Sequence, residues 1–289
     1  MSVDRTTANT HRSPGPAPSP DAATPKRDDA PVAPLTRRDR FLIVGCAVVL
    51  AALAWGYLVY VDRQMAAAAE HDAMMSAMGM SAAMSDAAGI LFLFAMWSVM
   101  MVGMMAGPAI PMLLLFASAH VLQRGGERLP AAVVMFGLGY AIVWIAFSAC
   151  AALAQFALHQ AALLSPAMAA ANPRLAGLVL CAAGLYQFTP LKATCLRRCR
   201  SPLGFLMTRW HDGRVGALRM GARYGLHCLG CCWALMGILF AVGVMNLLWV
   251  AALMLLVLLE KVAPAGIVIA RIAGAVAIAA GIIGLTTGG

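Results

Sequence analysis

The feature that most constrains this chain is a succession of long apolar runs that charged residues barely interrupt. Residues 41–60, 88–119, 131–157, 174–190, 222–242, 244–260 and 264–285 are each long enough, or nearly so, to cross a hydrocarbon layer of about 30 Å. Inside such a layer the backbone finds no water to bond, so each run must satisfy its own amides as a helix. A soluble domain is about a quarter charged, whereas this chain is 11% charged and 62% hydrophobic. The pattern predicts an all-α fold, a polytopic transmembrane bundle of about seven helices, with the lipid bilayer as its first partner.

The intervals between the runs predict the topology. Residues 1–36 hold Pro14, Pro16, Pro18, Pro20, Pro25, Pro31 and Pro34 and almost no large apolar side chain. Such a segment cannot bury enough surface to offset its ordering entropy, so it is expected to be a disordered tail. The integral membrane domain is then 37–289, opened by Arg37, Arg38 and Arg40. The most basic interval, 191–221, carries Lys192, Arg197, Arg198, Arg200, Arg209 and Arg214 against Asp212. The positive-inside rule makes it an inner loop and puts the N-terminus in the cytoplasm and the C-terminus outside. The net charge of +9 is read as topology. No basic stretch is interleaved with aromatics, which excludes a nucleic-acid partner. No Ser-His-Asp set, phosphate loop or carboxylate pair stands out, which removes the hydrolase and ATPase readings.

Chemistry concentrates in the cysteines. Cys195 and Cys199 are four residues apart, which on a helix points both thiols the same way with Cβ atoms about 6 Å apart. Cys228 and Cys232 repeat that spacing, Cys231 stands between them, His227 precedes them and Met236 extends the face. Thiolates with an optional imidazole suit Cu(I) or Zn(II), with copper preferred. Lys192, Arg197, Arg198, Arg200 and Arg223 are expected to favour thiolates. On the reducing side of a membrane, structural disulfides are not expected. Cys46, Cys150 and Cys181 read as ordinary small apolar residues.

Methionine supplies a second set of soft donors. An outer loop over 63–87 carries Met65, Met74, Met75, Met78, Met80 and Met84 beside Glu70, His71 and Asp72. It reads either as a capture segment for Cu(I) or as an amphipathic helix on the membrane surface. In the second run Met96, Met100 and Met104 form one stripe, and Met101 and Met105 a second about 100° round. They read as core packing or as a soft-metal passage. Pro108 and Pro111 predict a kink near 104–111. Glu260, Lys261 and Arg271 are charges in or near apolar runs, and Glu260 with Arg271 is a candidate pair.

At these residues the chain resembles the bacterial domain-of-unknown-function family described as predicted metal-binding integral membrane proteins. The matching segments are 186–192 with Cys195, Cys199 to Gly204, Cys228 to Met236, Gly243 to Leu247 with Trp249, and Met100, Met101, Met104 and Met105. The resemblance covers about 88–262. It implies a multi-pass protein of the bacterial inner (cytoplasmic) membrane that binds metal. The expected ligands are Cys195, Cys199, His227, Cys228, Cys231 and Cys232, with Met100, Met101, Met104 and Met105 as a relay. A metal donor or acceptor protein is the expected partner. Two other readings stand beside this one: a membrane thiol oxidoreductase using Cys228, Cys231 and Cys232, and a non-catalytic subunit that assembles with a membrane partner.

Overall fold

The structure, a computed structural model, describes residues 35–77, 86–124, 126, 128–164, 169–201, 204, 206, 210–244 and 246–287, with only the backbone of 66–77 and 86–88. The expected disordered tail lies almost wholly outside these residues, as do the methionine side chains of the outer loop beyond Met65. In chain order the helices are α1 (Arg37–Ala77), α2 (Asp86–Arg124), α3 (Leu129–Gln160), α4 (Pro173–Tyr186), α5 (Pro190–Arg200), α6 (Gly213–Gly237), α7 (Leu239–Val242), α8 (Leu247–Val262) and α9 (Gly266–Thr287). No strand occurs among the described residues.

All seven apolar runs are helical. Among the described residues, five stretches are long and apolar enough to cross a membrane: Arg37–Met65, Gly89–Arg124, Leu129–Gln160, Gly213–Val242 and Gly266–Thr287. The run over 174–190 differs from expectation. It is α4 alone, and it reaches spanning length only when joined to α5, from which it is bent by 61°. The run over 244–260 gives α8, whose 16 residues fall short of the about 20 that a straight crossing needs. Large apolar side chains face outward, as on a surface meant for lipid. Val134, Leu138, Ile142 and Ile145 on α3 and Val268, Ile272, Val276 and Ile283 on α9 are all exposed.

Local chemistry explains the break between α4 and α5. The Thr189 hydroxyl donates to the Tyr186 carbonyl at 2.7 Å and accepts from the Lys192 amide at 3.3 Å. One side chain thus closes the end of α4 and caps the start of α5. Pro190 follows as the first helical residue, where its missing amide costs nothing. This corrects the loop expected over 191–221. Its first ten residues are helical, and α6 already begins at Gly213. The expected outer loop over 63–87 also begins as helix, since α1 runs on to Ala77. α2 continues as helix through Pro108 and Pro111.

Two contacts hold the frame. α3 and α6 run side by side in the same direction and approach so closely that a Cβ on Gly221 would lie 1.9 Å from the Phe136 carbonyl oxygen. Small residues permit this in apolar surroundings, where close packing rather than water drives helices together. Toward the other end of the bundle the Trp97 indole of α2 donates to Gln155 Oε1 of α3 at 2.6 Å, both side chains being buried.

Candidate functional site

The turn at Thr189 swings α5 back toward the bundle. Lys192, Leu196 and Cys199 share its inner face and are buried. On α6 the inner face carries Cys228, Cys231, Cys232, Leu235 and Met236, each no more than 2% exposed. The two faces meet at sulfur. Cys231 lies close enough to Cys199 of α5, and to Cys228 and Cys232 of its own helix, for the four thiols to influence one another. Cys195, half-buried, also lies against α6, because Gly230 carries no side chain there. A Cβ at Gly230 would stand 2.8 Å from Cys195 Sγ.

All eight cysteines are free. The thiols of Cys231 and Cys232 both donate to the carbonyl of Cys228, at 3.0 and 2.9 Å. They therefore rest as bonded thiols against their own helix. Among the described residues no group of three or more His, Cys, Asp or Glu side chains is already converged on one metal position. The cysteines of this cluster are neighbours, but a bound ion would require the thiols of Cys231 and Cys232 to release the Cys228 carbonyl.

A polar shell surrounds the sulfurs. Lys261 Nζ, at the end of α8, donates to Cys228 Sγ at 2.8 Å. The Tyr140 hydroxyl of α3 lies 3.1 Å from the same sulfur and donates to the Met105 carbonyl of α2 at 3.4 Å. The Tyr186 hydroxyl donates to the Gly230 carbonyl. Tyr224 packs its ring against Tyr140 with centroids 5.9 Å apart. Next to this shell Lys192 Nζ and Glu260 Oε2 form an ion pair at 2.6 Å, each side chain 1% exposed. Arg200 braces the same corner, donating to the carbonyls of Glu260 at 3.1 Å and Pro264 at 2.8 Å.

The expected residues therefore divide. Cys199, Cys228, Cys231 and Cys232 come together, with Cys195 alongside. His227 is half-buried and its Nε2 lies 3.4 Å from Arg198 Nη1. Met100, Met101, Met104 and Met105 are at most 1% exposed, and Met105 reaches the cluster through its carbonyl and Tyr140. The pairing expected between Glu260 and Arg271 is corrected: Lys192 is the partner, because α5 is a helix that buries it rather than a solvated loop. Among the described residues, the cation bonded to a sulfur is Lys261, which was not one of the five basic residues singled out from sequence. Tyr140 and Tyr224 were missed, and Tyr186 was noted only as part of a matching segment. A tyrosine in a leucine-rich helix is a visible signal, since its hydroxyl needs a partner there.

A family model described as PpoB2, copper chaperone, matches residues 94–284, a stretch from α2 to α9 that contains every sulfur of the cluster. No curated protein and no solved structure matches the chain.

Proposed function

Because the chain belongs to the PpoB2 copper chaperone family, we propose that it carries copper as cargo, in the form of Cu(I), on the sulfurs of Cys199, Cys228 and Cys231, with Cys232 and Cys195 beside them. The observation that carries this reading is that Cys199, from α5, is buried beside Cys231, from α6, in one core cluster. Soft thiolates favour Cu(I), and Zn(II) would ask for a closed set of four ligands.

Charge supports the same choice. Cu(I) held by two of these sulfurs as thiolates, the third remaining a neutral thiol, carries one net negative charge, and an uncompensated charge in an apolar interior costs several kcal/mol. The Lys261 ammonium, 2.8 Å from Cys228 Sγ, brings the assembly to neutrality. With Zn(II) the same three groups would leave a positive charge. Loading releases the thiol protons and frees the Cys228 carbonyl from the two thiols that now bond it. We assign the protein to the bacterial inner membrane with its N-terminus in the cytoplasm, on the strength of the basic ends of α2 and α5. A donor or acceptor protein completes its traffic in copper.

The test is metal content. Purified protein exposed to Cu(I) is expected to hold copper by elemental mass spectrometry, and a Cys228→Ser, Cys231→Ser, Cys232→Ser variant to lose it. A triple variant that retains all the copper overturns the proposal.

A further inference from the structure

At the end of the bundle where α2 stops and α3 and α6 begin lies a pocket of about 330 Å³. Among the described residues, Arg124, Arg128 and Arg214 line it together with one acidic residue, Asp212. That carboxylate is occupied. Arg124 Nη2 lies 2.9 Å from it and the Trp210 indole donates to it at 3.0 Å. These two partners hold its carboxyl below the usual range, so it stays ionised and committed to them. The pocket as a whole is positive and would repel a bare metal cation. His120 forms one wall. Its ring lies beside those of Phe116 and Trp210, with centroids 6.2 and 6.4 Å away, and both of its nitrogens are buried with no hydrogen-bond partner. An imidazole left so is a soft donor held ready for something that enters.

One buried face of α6 joins the pocket to the sulfurs. Met220 lines it, and Met220, Tyr224 and Cys228 follow one another at four-residue spacing on α6, all buried. At 1.5 Å per residue Met220 is about 12 Å from Cys228 along the helix. Tyr224 packs on Tyr140, which touches Cys228. A ligand for this site must therefore be anionic, small, and able to present a soft ion to an imidazole and a thioether.

We infer that the pocket binds a small carboxylate-bearing thiol in its Cu(I) complex and is the point at which copper passes between that carrier and the buried cysteines. The inference rests on the copper reading above. Guanidinium forks match carboxylates in geometry as well as charge, and the carrier's thiolates make its copper complex an anion that these groups attract. The exchange balances without any redox step. A Cu(I) bis-thiolate carrier of charge −1 and two cysteine thiols give a Cu(I) bis-cysteinate of charge −1 and two carrier thiols. Two Cu–S bonds break, two form, and the two protons move from cysteine to carrier.

The test compares two copper donors on the full-length protein. One is the Cu(I) complex of glutathione, which bears carboxylates; the other is the Cu(I) complex of dithiothreitol, which bears none. Loading is followed by stopped-flow. The wild-type protein is expected to load about ten-fold or more faster from glutathione, the scale of one charged hydrogen bond. Arg128→Gln with Arg214→Gln is expected to abolish that preference while leaving loading from dithiothreitol and the final copper content unchanged. This variant keeps the Arg124–Asp212 pair, and Arg124→Gln serves as the third probe. Equal rates from the two donors in the wild type, or a preference that survives the double variant, overturns the inference and leaves the copper reading intact. Failure to load from either donor sinks the copper reading and the inference with it.

Discussion

The buried ion pair beside the cluster gives the sharpest test of the packing. Lys192 Nζ and Glu260 Oε2 are 2.6 Å apart and each side chain is 1% exposed. At that separation and an effective dielectric of about 20 their attraction is roughly 6 kcal/mol. Removing two ions from water costs several kcal/mol each, so the pair as a whole is close to neutral for stability. Glu260 Oε1 has no hydrogen-bond partner, which weakens the compensation further. Breaking one side is different, because it strands a buried charge at a cost of about 3–5 kcal/mol. Lys192→Met and Glu260→Leu are each expected to destabilise by that amount. Independent effects would sum to roughly 6–10 kcal/mol, but the double variant is expected to be less destabilised than either single one. Unfolding in mixed micelles with rising dodecyl sulfate, followed by far-ultraviolet circular dichroism, measures all three. Neutral single variants, or a double variant that costs the sum of the two, would refute the reasoning.

Two further outcomes are expected. Lys261→Met removes the ammonium from Cys228 Sγ and should weaken Cu(I) binding roughly 10–100-fold, the scale of a hydrogen bond to a charged group; Lys261→Arg should recover part of it. Competition with a chromophoric Cu(I) chelator reads this, and an unchanged affinity in Lys261→Met would contradict the charge argument. Gly221→Ala would set a Cβ 1.9 Å from the Phe136 carbonyl oxygen and force α3 and α6 apart. It should cost at least about 1–3 kcal/mol, seen as a lower Tm. Gly237→Ala, whose Cβ would meet nothing within 4 Å, should leave Tm nearly unchanged.

The helices were legible because lipid leaves the backbone a single solution, and the apolar runs announce it. The cysteines were legible too, since the repeated four-residue spacing survives folding into α5 and α6. The family match supports copper handling by the chain as a whole. Lengths were harder to read. Thr189 and Pro190 carry the signals of a helix start, yet the charge of the following residues favoured a loop. The partners of the buried charges were not legible at all. Lys192 meets Glu260 only through packing of α5 against α8, and Lys261 meets Cys228 only through packing of α8 against α6, and spacing along one helix says nothing about either. The resting place of the Cys231 and Cys232 thiols on the Cys228 carbonyl is likewise a matter of χ1.

The central claim is that sulfurs from two separate helices hold one copper ion. X-ray absorption at the copper edge of the Cu(I)-loaded protein tests it most directly. A first shell of two or three sulfur atoms is expected, with one of them lost in Cys199→Ser while the Cys228–Cys232 segment is untouched. A shell dominated by nitrogen or oxygen, or a sulfur count that Cys199→Ser leaves unchanged, would contradict the claim.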